Sequence, residues 1–162
     1  MTGSNEMVHA LHSNDDSMPS RGKMFTPKAA TEMLPLLRII LREALQLSHS
    51  IERQRDQIAG IDRLAERMDH PSYQEEVHDI RVSLAEEEAK LERCIVELTE
   101  LGVTPHLPLN GIIDFPTIVN RQPACLCWSL GEDSVDYWHA PGQAPELRRP
   151  LPRKSFGTEK CL

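Results

Sequence analysis

The stretch that decides the fold is LRIILREALQLSHSIERQRDQIAGIDRLAERM, residues 37–68. Its apolar side chains recur in alternating steps of three and four, which is typical of a long α-helix packed along a coiled-coil-like seam. We therefore predict a helix here, with one polar interruption at Gln54. The seam positions are Leu37, Ile40, Ala44, Leu47, Ile51, Gln54, Ile58, Ile61, Ala65 and Met68.

The start of this helix has its own signal upstream. Thr26 can cap the helix with its hydroxyl, and Pro27 is tolerated at the first helical position because its missing N–H has no partner there. The predicted helix runs from 27 to about 68. Pro35 lies inside it, so we expect a kink or a broken first turn and a half.

A second helix is predicted from Tyr73 to Leu101, after a break at Asp69 to Ser72. Ser72, followed three residues later by Glu75, forms a capping box for its start. Gly102 is placed to end it as the residue after the cap. Because the connection is short, the two helices should form an antiparallel hairpin over 27–101. Its seam positions are Val77, Ile80, Leu84, Glu87, Leu91, Cys94, Leu98 and Leu101.

After Gly102 the helical period disappears, and the residues are rich in Pro, Gly, aromatic and β-branched types. Residues 111–115 predict one short strand halted by Pro116. Residues 124–130 and 135–139 predict a hairpin around the turn 131–134.

The register of that hairpin follows from the aromatic residues. Pairing Leu130 with Val135 places Trp128 opposite Tyr137 and Leu126 opposite His139, giving one apolar face against the helices. A slip of one residue would instead pair Trp128 with Asp136.

The predicted fold class is α+β, a long antiparallel helical hairpin, coiled-coil-like, capped by a small antiparallel β-sheet. Residues 1–23 read as a disordered leader, 24–151 as a single folded domain with its β-rich unit at 102–151, and 152–162 as a flexible tail. The hairpin would project far beyond so small a sheet, leaving the seam from Ile51 to Met68 to be covered by another copy or another helical protein.

Charge and composition limit the classes of partner that the protein is expected to bind. The net charge is −7, which disfavours a nucleic-acid partner because duplex binding depends on cationic side chains. No apolar run is long enough to span a membrane, and no signal-peptide pattern opens the chain. The four cysteines do not form a plausible disulfide framework, so we expect reduced thiols and a cytoplasmic protein without a cofactor.

The candidate catalytic residues are Asp114, His139 and Arg148, with Glu132 as a weaker fourth. A carboxylate, an imidazole and a guanidinium are the parts of acid–base catalysis with anion stabilisation. The structural alternative gives Asp114 and Glu132 turn roles, His139 a hydrogen bond, and Arg148 a carboxylate partner. Glu132 and His139 lie far apart along the predicted hairpin, so we rank the trio above the quartet.

Cys125 and Cys127 share one strand face, and with His139 or His106 nearby they are weak candidates for zinc or copper ligands. Structural zinc sites usually use C-x-x-C spacing, which C-x-C on a strand does not match. The expectation is therefore that no metal is bound and that both cysteines pack as small apolar residues.

A set of short motifs resembles the prokaryotic family catalogued as domain of unknown function 2203, over roughly residues 24–151. The resemblance implies a one-domain architecture but no established activity or ligand. Members of that family carry an acidic, glycine-rich loop where this chain has Ala140-Pro-Gly-Gln-Ala-Pro-Glu-Leu147, so this loop departs from the pattern. The motifs are Phe25-Thr26, Leu34-Pro-Leu-Leu37, Gly111-Ile-Ile-Asp-Phe-Pro116, Leu126-Cys-Trp-Ser-Leu-Gly-Glu132, Tyr137-Trp-His139 and Arg148-Arg-Pro-Leu151.

Two functions follow as hypotheses. The first is a protein-interaction or scaffold module that acts through the helical hairpin, as a homo-oligomer or on another helical protein. The second is a small-molecule-binding or hydrolytic domain that uses the polar residues of the β-rich unit. The first requires an exposed apolar stripe on the distal hairpin, and the second requires a concave pocket where the four polar groups converge.

Overall fold

The computed structural model describes residues 22–66 and 71–152. Most of the predicted leader and tail lie outside these residues, together with Met68 and the first two residues of the predicted break, Asp69 and His70. The α+β prediction is confirmed: two packed helices carry a five-stranded antiparallel sheet. The elements are α1 Pro27–Ala65, α2 Pro71–Glu100, β1 Thr104–Pro105, β2 Ile112–Val119, β3 Gln122–Ser129, β4 Tyr137–His139 and β5 Arg149–Pro150.

Helix α1 begins where the sequence indicates. The hydroxyl of Thr26 accepts a hydrogen bond from the N–H of Ala29 at 3.1 Å, and Pro27 occupies the first helical position. The helix then continues without interruption through Pro35, so the expectation of broken first turns is wrong, whereas the kink at Pro35 stays a prediction. Burial explains the unbroken helix: Leu34 and Leu37, on either side of the proline, are both fully buried in the core.

Helix α2 begins at Pro71, two residues earlier than predicted. The side chain of Ser72, the predicted cap, lies outside the described part of the chain. The end of α2 is as predicted, because Gly102 has a φ of +86°. The N–H of Gly102 bonds to the carbonyl of Thr99 and that of Val103 to the carbonyl of Leu98, which is the Schellman arrangement.

The two helices run antiparallel, as ion pairs between them show. Arg55 of α1 pairs with Glu88 of α2 at 2.6 Å, and farther along α1 Asp62 pairs with Arg81 at 3.7 Å. Residue numbers therefore increase along α1 in the direction in which they decrease along α2. Both pairs are exposed and contribute little to stability.

The sheet is a simple meander in the order β1-β2-β3-β4-β5. Strand β2 does not stop at Pro116 but continues to Val119, which corrects the predicted strand end. The carbonyl of Pro116 accepts a hydrogen bond from the N–H of Phe25 at 2.9 Å, so this residue turns its backbone polar groups away from β3. Its missing N–H therefore costs no bond of the β2–β3 ladder.

The predicted register of the β3–β4 pair is wrong by one residue. Cys125 lies opposite His139 and Cys127 opposite Tyr137, in place of Leu126 and Trp128. Leu126 instead faces Trp138, and both belong to the core side of the sheet. Because side chains alternate along a strand, the slip moves Tyr137 and His139 to the opposite face, away from the helices.

The connection between β3 and β4 explains the slip. The N–H of Val135 bonds to the hydroxyl of Thr31 on α1 at 3.1 Å, so this residue is held by the helix and does not pair with Leu130. Val135 is buried there. Strand β4 consequently begins only at Tyr137.

The core lies between one face of the sheet and the half of the hairpin nearest Phe25 and Leu101. Phe25 packs edge-on against Phe115, with ring centroids 5.3 Å apart. The largest fully buried residues of this core are Trp128, Phe25, Phe115, Leu34, Leu37, Leu41, Leu98, Ile113 and Leu126.

The distal half of the hairpin covers part of its own seam. Ile51 is buried within the chain, and Ile58 and Ile61 are half-buried. The expectation that this stripe is left exposed is therefore wrong for Ile51. Neither described helix has a segment long and apolar enough to cross a membrane.

Candidate functional site

The candidate residues lie on the face of the sheet opposite the helices, which we call the outer face. Along β2, Ile113 and Phe115 enter the core, so Asp114 between them points outward. Asp114 lies opposite Cys127 of β3, which in turn lies opposite Tyr137 of β4. A carboxylate, a thiol and a phenol group therefore form a row across the outer face of the sheet.

Asp114 is at the centre of this face, between two histidines. One carboxylate oxygen lies 2.9 Å from Nε2 of His139, and the other lies 2.7 Å from Nε2 of His106. The side chain of His139 is 2% exposed, that of Asp114 16% and that of His106 22%. We call these three residues the His–Asp–His cluster.

Three different strands position the cluster. Thr104 of β1 pairs with Asp114 of β2, and the N–H of His106 continues the ladder by bonding to the carbonyl of Ile112 at 3.0 Å. His139 is the last residue of β4. The antiparallel ladder therefore brings residues distant in sequence to one point on the outer face.

The ring of His139 is fixed from its other side. Its Nδ1 lies 2.8 Å from the carbonyl oxygen of Ala140. The same carbonyl accepts the N–H of Gln143, whose side-chain oxygen accepts the N–H of Ala140. This tight turn locks the orientation in which Nε2 of His139 points at Asp114.

Arg148 and Glu132 form a second charged group on this side of the sheet. The guanidinium donates to both carboxylate oxygens of Glu132, with one contact of 3.0 Å. These hydrogen bonds raise the pKa of Arg148 above its ordinary value. The guanidinium also stacks over the ring of Tyr137, 4.3 Å from its centroid.

Glu132 is a structural residue of the turn after β3. Its carboxylate accepts the N–H of Ser129 at 3.0 Å, and its backbone carbonyl accepts the indole N–H of Trp128 at 3.0 Å. Arg38 of α1 donates to the same carbonyl. Glu132 therefore joins the turn, the core tryptophan, the hairpin and Arg148.

Cys127 lies between the two charged groups. Burial and the neighbouring Asp114 carboxylate raise the pKa of its thiol to about 12, against an opposing effect of Arg148. Burial, followed by the charge of Asp114, raises the pKa of Cys125 to about 11. Both thiols are therefore protonated at neutral pH, which disfavours them as nucleophiles.

The four predicted residues thus separate into two pairs. Asp114 contacts His139, whereas Arg148 contacts Glu132. Glu132 and His139 therefore lie in different pairs, and so do His139 and Arg148 of the predicted trio. A catalytic role for any of the four remains a prediction.

His106 was not among the predicted acid–base residues. A usable signal was present in Leu107-Pro-Leu-Asn-Gly111, a turn-like segment that places His106 opposite Ile112 and beside Asp114 once the two flanking segments pair. Among the described residues, the His–Asp–His cluster is a group whose three potential ligand atoms all lie within 4.8 Å of one another. Neither Cys125 nor Cys127 belongs to it.

Comparison with known proteins gives one match. No curated protein and no solved structure matches the chain. Residues 23–151 match a family described as "Uncharacterized conserved protein (DUF2203)", a span that includes both helices, the whole sheet and every candidate site residue. Since the match covers well over half of its length, the chain belongs to the DUF2203 family.

Proposed function

We propose that the protein is a small-ligand-binding domain whose site is the His–Asp–His cluster. The observation that carries this proposal is the convergence of two imidazoles on one carboxylate, on a sheet face that the hydrophobic core does not use. Placing a carboxylate and a nearly buried imidazole together costs free energy unless partners compensate for lost hydration. Convergent polar side chains of this kind are the parts from which binding and catalytic sites are built.

The rest of the outer face favours binding over hydrolysis. The Arg148 guanidinium is already occupied by Glu132, so it is not free to stabilise a developing anion. Cys127, a potential nucleophile opposite Asp114, has a pKa of about 12 and is therefore almost entirely protonated at neutral pH. The cluster itself offers a carboxylate and imidazole nitrogens, which suit a ligand that is cationic or donates hydrogen bonds.

The binding proposal is tested by thermal unfolding of the full chain with a panel of divalent metal chlorides, primary amines and polyols. A ligand of the cluster should raise the melting temperature of the wild type and leave Asp114→Asn unchanged. Asp133→Asn is the matched control, because it removes the same charge from an exposed turn of the same β-rich unit. If no compound shifts the wild type, or if it shifts Asp114→Asn equally, the proposal is wrong.

A second proposed function is self-association through the helical hairpin. It is supported by Leu36 and Ile39, which lie one turn apart on α1 and are 45% and 65% exposed. Aliphatic side chains grouped in this way are a common feature of interfaces. Sedimentation velocity of the wild type and of Ile39→Asp decides it: a dimer that the substitution dissociates is expected, and a monomeric wild type at high concentration contradicts it.

A further inference from the structure

We propose that the His–Asp–His cluster binds one divalent transition-metal ion. The donors would be Nε2 of His106, Nε2 of His139 and the carboxylate of Asp114. This proposal rests on the proposed ligand-binding function, and it names the class of ligand.

The hydrogen bonds of His139 are the first support. A carbonyl oxygen can only accept, so the contact between Nδ1 and Ala140 places the ring proton on Nδ1. In the neutral ring Nε2 then carries a lone pair, and it points at a carboxylate oxygen 2.9 Å away. The ring of His139 therefore presents Nε2 toward the Asp114 carboxylate, where an ion shared by the two groups would lie.

A divalent ion could be bound by all three side chains at once, because one carboxylate is shared between the two rings. It would also compensate for the charge of Asp114 at a place where the ring of His139 is 2% exposed.

The contact with Ala140 is also what metal sites usually show. Histidine ligands almost always donate their second ring N–H to a carbonyl, a carboxylate or water, which fixes the tautomer and the direction of the metal-binding nitrogen. In this chain the carbonyl is itself held by the turn between Ala140 and Gln143. The groups that orient the ring of His139 therefore include backbone atoms as well as side chains.

The donor set selects the kind of ion. Two imidazole nitrogens and one carboxylate oxygen suit Zn²⁺, Fe²⁺ or Co²⁺, whereas Ca²⁺ and Mg²⁺ prefer oxygen ligands. The three atoms lie within 4.8 Å of one another, close enough for one ion to reach all of them after small side-chain shifts. Three protein ligands leave at least one coordination position open, and the partial exposure of His106 gives access to it.

The test uses the full chain, stripped with a chelator and then titrated with ZnCl₂ by calorimetry and with CoCl₂ by visible absorption. We expect one ion per chain, with a Co²⁺ spectrum that reports mixed nitrogen and oxygen ligands. Asp114→Asn, His139→Gln and His106→Gln should each weaken binding at least tenfold, because each removes or impairs a ligand. His106→Gln, the most exposed of the three, keeps the test valid if the buried variants fail to fold.

Two kinds of control belong with these variants. His78→Gln and Asp133→Asn make the same substitutions at exposed positions and should bind Zn²⁺ like the wild type. Cys125→Ala should also keep full affinity, because its thiol lies outside the cluster. If Cys125→Ala loses the ion while His106→Gln keeps it, the ligand assignment is wrong.

The remaining outcomes separate the two proposals. If no metal binds but an amine or polyol still stabilises the wild type and not Asp114→Asn, the metal inference is wrong and the binding function stands. If nothing in either experiment binds, both are wrong. If all cluster variants bind Zn²⁺ as well as the wild type, the ion is held elsewhere and this inference is overturned.

Discussion

Replacing Glu132 with Gln should lower the free energy of unfolding by about 2 kcal/mol, between the values for exposed and buried ion pairs. The carboxylate accepts from both terminal nitrogens of Arg148 and from the N–H of Ser129. Both charged side chains are 25% exposed, so solvent only partly screens them. Glutamine keeps one acceptor oxygen but loses the charge and the two-pronged contact.

Urea unfolding of Glu132→Gln, Arg148→Met and the double variant measures this pair directly. The double-mutant cycle should give a coupling energy of about 1–2 kcal/mol, since the two groups are in contact. Asp133→Asn, an exposed neighbour, should change stability by less than about 0.5 kcal/mol. A coupling energy near zero would mean that the contact behaves as an ordinary surface ion pair, and the structural role given to Glu132 would be wrong.

Three further predictions concern the turns, caps and thiols. Arg121 has a φ of +64° in the β2–β3 turn, so Arg121→Gly should raise stability by about 0.5–1 kcal/mol in urea unfolding, whereas Arg121→Ala should not. Thr26→Ala should cost about 1 kcal/mol in the same assay through loss of the cap on Ala29, and Thr26→Ser should restore it. The pKa values of Cys125 and Cys127 in the folded chain are about 11 and 12, against an ordinary value of 9.0. Above pH 9.0 the folded chain therefore binds more protons than the unfolded chain. The contribution of the two thiols to stability is complete below that pH and falls as the pH rises. Unfolding measured from pH 8 to 11 should show this decline, reduced in Cys125→Ala; an equal decline in that variant would contradict the assignment.

The start of α1 and the end of α2 could be predicted because their signals are local. Thr26 with Pro27, and Gly102 after a helical run, act through bonds within a few residues, and both appear as expected. The unbroken helix around Pro35 could not be predicted, because the burial of the residues on both sides of the proline outweighs the lost backbone hydrogen bond. Local rules predict where a helix can begin, whereas tertiary packing decides whether a weak position breaks it.

The strand register could not be predicted because β4 is covered on both faces. Trp138 packs toward the core while His139, the next residue, is buried on the outer face. Alternation of apolar and polar residues therefore gives no preferred face, and the aromatic pairing of Trp128 with Tyr137 is a misleading guide. The deciding contact is the bond from Val135 to Thr31, between segments far apart in sequence.

The position of His106 beside Asp114 is hard to predict for a related reason, although the sequence does indicate His106 as a possible neighbour of the two cysteines. Strand β1 has two residues, one of them Pro105, and such a segment carries no period from which a strand is recognised. Its position becomes clear only once its pairing with β2 is known. Asp114 and His139 were named from their chemical types, and the one-residue slip is what brings them to the same face.

The two charged groups of the outer face are connected through Cys127. A protonated thiol can donate to the Asp114 carboxylate while its sulfur accepts from the Arg148 guanidinium, and both contacts influence its pKa. Because that pKa is about 12, the thiol stays neutral and adds no second negative charge beside Asp114. Glu132 holds Arg148 in place, so the effect of Glu132 on the cluster is indirect. The outer face therefore gives its two carboxylates different tasks: Glu132 is satisfied by a fixed guanidinium, whereas Asp114, with two imidazole nitrogens directed at it, is the one that a bound cation would complete.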